Sequence, residues 1–126
     1  MHILLIEPDR ILREQYEKAL AAAGHTVDHA ATAQAAVRAA DAAVPDVVVL
    51  AMDMARHNGV EFLYEFKSYA EWQAVPVVLL VARLNHELAG HDQLRNQLGV
   101  AAVLVKSELT LAALCSAVLE ARKDAA

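Results

Sequence analysis

Four short apolar runs constrain this fold more than anything else in the chain: HILLI at 2–6, VVVL at 47–50, PVVLLVA at 76–82 and VAAVLV at 100–105. Each is too brief for a helix and is bounded by turn residues, which favours a strand buried on both faces. A fifth run, TVDHA at 26–30, alternates weakly, as an edge strand does. Between the runs lie stretches with helical spacing. Strands alternating with helices imply a parallel sheet with helices on both faces.

The helical stretches carry their own start and stop signals. Asp9 caps a helix from Arg10 to Ala23, with Leu12, Tyr16, Ala19, Leu20 and Ala23 on one face and Gly24 beyond its end. Thr32 caps an alanine-rich helix from Ala33 to Ala43, high in propensity but poor in packing mass. A third helix is predicted from Val60 to Glu71, burying Phe62, Leu63, Phe66 and Tyr69. A fourth, polar helix runs from Asn85 to Leu98 with a thin stripe of Leu88, Leu94 and Leu98. The last, over 108–122 with Ser107 or Thr110 as cap, turns Leu111, Leu114, Cys115, Val118 and Leu119 inward. Residues 1–122 read as one domain, and 123–126 as a tail or the start of a linker.

Composition removes several function classes. The chain has 126 residues, enough for one compact domain. Hydrophobic residues make up 57% and aromatics only 5%, so the core is largely aliphatic. A net charge of -5 argues against a nucleic-acid surface. One cysteine excludes an intrachain disulfide and suits a reducing, cytoplasmic setting. The N-terminus lacks the basic region and the apolar length of a signal peptide. No run approaches the roughly 20 residues of a membrane span. The six histidines have no helical i, i+4 pair of the kind that aims two imidazoles at one metal, so they read as surface residues. Cys115 reads as packing rather than as a reactive thiol.

In an open parallel sheet, ligands bind outside the strand carboxyl ends. Those ends collect Glu7, Pro8 and Asp9, then Ala51 and Asp53, then Val81, then Lys106. The central position is Ala51, whose methyl neither ionises nor attacks. Lys106 needs a counter-charge if buried. Glu7 or Asp53 can supply it, and the competing reading is a retained anion site.

The ordered motifs ILLIEPD, LAMDMARHNG, PVVLLVAR and LGVAAVLVK make the chain resemble, across its length, the receiver domain of bacterial response regulators. The resemblance implies a CheY-like, flavodoxin-like α/β fold: a doubly wound five-stranded parallel sheet, order 2-1-3-4-5, with five helices. It also implies a protein of two-component (phosphorelay) signalling rather than an enzyme. Receivers accept a phosphoryl group on a central aspartate with Mg²⁺ beside it, and a lysine, a hydroxyl and an aromatic relay the change. Counting from Met54, Asn58 and Gly59 places Ala51 at the acceptor position. Glu7 matches the first acidic position, but Pro8 takes the second. Ala55 replaces a loop proline, Val81 the switch hydroxyl and Val103 the aromatic. Ser107 replaces a proline, so a cis peptide is not expected there, since a non-proline cis bond costs about 3 kcal/mol. Only Lys106 keeps its family identity.

These departures predict a degenerate pocket formed by Glu7, Pro8, Asp9, Ala51, Asp53, Val81 and Lys106, without a catalytic residue, a metal or any other cofactor. The expected role is a phosphorylation-independent protein-interaction module. Its partner, a second copy of the chain included, would meet the face of helix 85–98, strand 100–105 and helix 108–122, for which a merely solvated helix is the competing account. Two alternatives stay open: a small-molecule sensor with an apolar crevice, and a displaced phosphoacceptor at Asp53. An FMN carrier is disfavoured because Glu-Pro-Asp, not a phosphate-binding loop, follows the first strand.

Overall fold

The computed structural model describes residues 1–52, 59–82 and 98–125. In chain order the elements are β1 (His2–Ile6), α1 (Arg10–Ala22), β2 (Thr26–Ala30), α2 (Ala33–Ala42), β3 (Val47–Ala51), α3 (Gly59–Ser68), a 3₁₀ turn (Ala70–Trp72), β4 (Val77–Val81), β5 (Val100–Val105) and α4 (Leu111–Ala125). The five strands are all parallel, in the order β2-β1-β3-β4-β5. The predicted sheet is therefore observed. Among the described residues there are four α-helices. The helix expected over 85–98 lies outside the described residues except for Leu98, which is buried.

Alternation along the strands splits the core into two layers. Leu4, Ile6, Val48, Leu50, Val77 and Leu79 face α2, α3 and Trp72. Ile3, Leu5, Val47, Val49, Val78 and Leu80 face α1 and α4. This is the period of two expected of a strand buried on both sides. Alanines 33, 36 and 40 are the buried residues of α2. The mass that α2 lacks comes from α3 and its turn, where Phe62, Phe66 and Trp72 stack in sequence with ring centroids 5.5 and 4.9 Å apart.

The caps follow their chemistry. Asp9 Oδ1 accepts from the amides of Ile11 (2.9 Å) and Leu12 (3.1 Å), and Thr32 Oγ1 from Ala35 (3.1 Å). Gly24 ends α1 at φ +96°, a conformation that favours glycine.

Several boundaries and faces differ from expectation. Helix α3 stops at Ser68 rather than Glu71, because the Ser68 hydroxyl bonds back to the Glu65 carbonyl (2.6 Å) and Tyr69 turns extended. Tyr69 is accordingly 42% exposed rather than buried. Helix α4 starts at Leu111, capped by Thr110 Oγ1 on the Ala113 amide (3.0 Å), after a tight turn through 105–109. It then continues through Lys123 and Asp124 to Ala125, past the expected end at 122. Leu114 and Val118 are buried, but Leu111 and Leu119 are 45% and 54% exposed, because α4 docks through a narrower stripe that Ala121 completes. Ala23 is exposed at the last turn of α1.

Candidate functional site

The sheet register brings the strand carboxyl ends level. Ile6 pairs with Leu50, Ala51 with Leu80, and Val81 with Val105. Backbone bonds continue the ladder one residue further, from the Met52 amide to Leu80 O (2.9 Å) and from the Lys106 amide to Val81 O (2.8 Å). Glu7 thus follows β1 and Lys106 follows β5, with the ends of β3 and β4 between them.

Lys106 Nζ donates to Glu7 Oε1 at 2.6 Å. The two residues stand on strands three places apart, a separation of about 14 Å at the usual strand spacing. Both side chains must reach across the ends of β3 and β4 to meet. Beneath that path lie Ala51, with no exposed surface, and Val81, 2% exposed. Of the two partners the sequence offered Lys106, the geometry selects Glu7. Asp53 lies outside the described residues, as do Met54, Ala55, His57 and Asn58.

Glu7 is held rigidly and kept dry. Its amide donates to Ala30 O (3.0 Å), and its carbonyl accepts from Arg13 Nη1 (2.9 Å). Its side chain has no exposed surface, and among the described residues Oε2 has no hydrogen-bond partner. Burial pushes the carboxyl above its usual range, against the pull of the Lys106 hydrogen bond and charge; Asp9 adds a smaller upward push and Arg13 a smaller downward one. Tyr16 is raised too, first by burial and then by the charges of Glu7 and Asp9.

The other expected pocket residues are placed differently. Asp9 is exposed, and its Oδ1 is committed to capping α1. Pro8 is half-buried and brings no side-chain oxygen. Val103 is half-buried on β5 and packs against the α2–α3 layer. The peptide bond between Lys106 and Ser107 is trans. Among the described residues, no three His, Cys, Asp or Glu side chains converge as a metal site would require.

Gly59 closes the site from below. Its amide donates to Met52 O (2.9 Å), and a Cβ there would stand 2.7 Å from Met52 Sδ and 3.0 Å from Met52 Cα. The second contact is to backbone and cannot rotate away. Gly59→Ala is expected to cost about 2 kcal/mol, in the range of forced overpacking, read as a lower urea midpoint with an unchanged m-value.

A family model for the response regulator receiver domain matches residues 3–118. The chain belongs to the response regulator receiver family. Receivers are signalling modules that act on other proteins, not enzymes. One relative of this receiver is the KDP operon transcriptional regulatory protein KdpE of Escherichia coli (strain K12), 30% identical over 82 residues. That match covers 65% of the receiver but only 35% of the relative's length. Solved structures share the fold. Chemotaxis protein CheY4 of Vibrio cholerae superposes with a TM-score of 0.84 at 22% identity, covering 95% of this chain and 97% of that one. A sensor protein from Polaromonas sp. JS666 reaches 0.89 at 16% identity, covering 99% and 98%. No described helix of the receiver is long and apolar enough to cross a membrane.

Three residues of structural weight escaped the motif reading. Arg13 positions the Glu7 carbonyl with no pattern to announce it. Trp72 and Lys67 are buried beyond and within α3. Lys67 had a signal: it follows Leu63 by four residues and so lies on the buried stripe of the helix.

Proposed function

We propose that this receiver has exchanged phosphoryl chemistry for constitutive protein binding in a signalling pathway. The observation that carries the reading is the Lys106–Glu7 pair closed across the Ala51 methyl. The ammonium that would meet a phosphoryl group already has a partner, and the position beneath it offers no nucleophile. The residues also fit Mg²⁺ poorly. That ion needs several oxygen ligands in near-octahedral array. Here Ala51 and Pro8 supply no side-chain oxygen, Asp9 caps α1, and Glu7 is paired with an ammonium.

Support for the partner face comes from α4. Leu111 and Leu119 are exposed on it, with half-buried Cys115 between them, and β5 is only half-buried from Ala101 to Val105. Among the described residues the small-molecule reading gains no support from the pocket floor, since Glu7 and Ala51 expose no surface to a ligand.

The test is an amide NMR titration with Mg²⁺ and then beryllofluoride, an acyl-phosphate mimic. No saturable shifts are expected at Glu7, Ala51 or Lys106. Saturable, Mg²⁺-dependent shifts there would overturn the proposal. Their loss in Asp53→Asn would assign the acceptor to Asp53.

A further inference from the structure

The turn between α3 and β4 closes on an ammonium group that, among the described residues, has no carboxylate beside it. Lys67, in the last turn of α3, is 9% exposed. Its Nζ donates to the carbonyl oxygens of Trp72 (3.3 Å), Gln73 (3.1 Å) and Val75. An ammonium has three N–H donors, and the three carbonyls use all of them. The Phe66 ring lies 5.8 Å from Nζ. On the remaining side is Gly99, just before β5, where a Cβ would stand 3.0 Å from Nζ. One cation therefore ties α3 to the 72–75 turn, and the residue before β5 packs close against it.

The charged groups on these elements do not engage it. Glu61 and Glu65 on α3 and Glu71 on the turn are exposed, and among the described residues Lys67 has no ion-pair partner. Tyr69 is the nearby phenol, its ring tilted by 56° against Trp72 with centroids 4.7 Å apart. Burial alone lowers the ammonium, to about 8.

Trp72 depends on this arrangement. Its indole Nε1 is buried with no hydrogen-bond partner among the described residues, and the ring is held by stacking and by its own cation-bound backbone. Losing a proton to solvent leaves Lys67 with two N–H donors and a lone pair. One of the three carbonyls then faces a lone pair instead of a donor, and a buried acceptor without a donor is costly.

We propose that Lys67 is a tethered cation that locks the 72–75 turn against α3, and that loss of its proton releases the turn.

Trp72 is the only tryptophan, so its emission reports on the turn directly. In a Tyr69→Phe background, which removes the phenol hydroxyl beside the indole, emission excited at the red edge is followed through mildly alkaline pH. One transition centred near pH 8 is expected, and it should be absent when Lys67→Met is added. Flat emission, or a transition that survives Lys67→Met, would overturn the proposal. If Lys67→Met does not fold, the unmutated chain still decides the matter by NMR of the Lys67 side chain. Its Cε signal should titrate together with the Trp72, Gln73 and Val75 amides. A signal that stays constant until the ordinary lysine range, or amides that do not move with it, would overturn the lock.

Discussion

Lys106→Met is expected to lower stability by at most about 3 kcal/mol at pH 7 and by less than about 1 kcal/mol at pH 5. The asymmetry of the pair is the reason. Glu7 is fully buried and Lys106 is 21% exposed, so the carboxylate has far more to lose. Without the ammonium, Glu7 either stays charged and unpaired or takes up a proton. Protonation limits the loss: starting from a reference of 4.5, at about 1.4 kcal/mol per pH unit, it costs about 3.4 kcal/mol at pH 7 and about 0.7 kcal/mol at pH 5. The sign is fixed by linkage. A carboxyl raised in the folded state holds more protons there than in the unfolded chain, so stability falls as pH rises from 4.5 through the raised value. Lys106→Met widens that window upward. Glu7→Gln abolishes it, and Glu7→Gln with Lys106→Met should recover most of the loss, since replacing both members of a buried pair is often near neutral. Urea unfolding of the four proteins at both pH values closes the cycle. A loss of equal size at pH 5 and pH 7 would mean that Lys106 contributes packing and not charge.

The pair also marks where sequence reasoning stops being local. The central strands were legible because burial on both faces leaves an uninterrupted apolar run, as in Val47 to Leu50. The caps were legible because Asp9 and Thr32 act on amides two and three residues away. Glu7 and Lys106 are 99 residues apart, and no periodicity joins them. They were candidates only because the strand ends converge and a buried charge needs a partner. Asp9 had two readings, pocket acid and helix cap, and the capping bonds claim it. Beyond Ser68 the helical pattern persists in the sequence, and only a side chain bonding back to a carbonyl reveals the break. The exposed Leu111 and Leu119 continue an apolar spacing that α4 does not bury, since spacing sets a face but not the width of the groove that receives it. Lys67 was hidden by residue type, because charge usually signals solvent and here three carbonyls replace it.

Placing an aspartate at position 51 is expected to destabilise the receiver, by at most about 4 kcal/mol at pH 7, without restoring Mg²⁺-dependent phosphoryl uptake. Ala51 has no exposed surface and lies beneath a carboxylate already paired with the one ammonium nearby among the described residues. A second carboxylate there must share Lys106 or be protonated, and like charges in one site hold one of the two acids neutral. The upper limit is the cost of protonating a reference aspartate at pH 7. A bound Mg²⁺ would offset that repulsion, but Pro8 still brings no side-chain oxygen and Asp9 Oδ1 still caps α1. The thermal midpoint of Ala51→Asp should therefore not respond to Mg²⁺. Pro8→Asp combined with Ala51→Asp supplies the missing oxygens, so its midpoint should rise with Mg²⁺, as linkage requires of an ion bound only by the folded state. The same pair of variants, incubated with acetyl phosphate and weighed by mass spectrometry, separates acceptor from metal site. Phosphoryl uptake by Ala51→Asp alone would show that Pro8 does not block the metal, and that the missing carboxylate is what keeps this pocket from accepting a phosphoryl group.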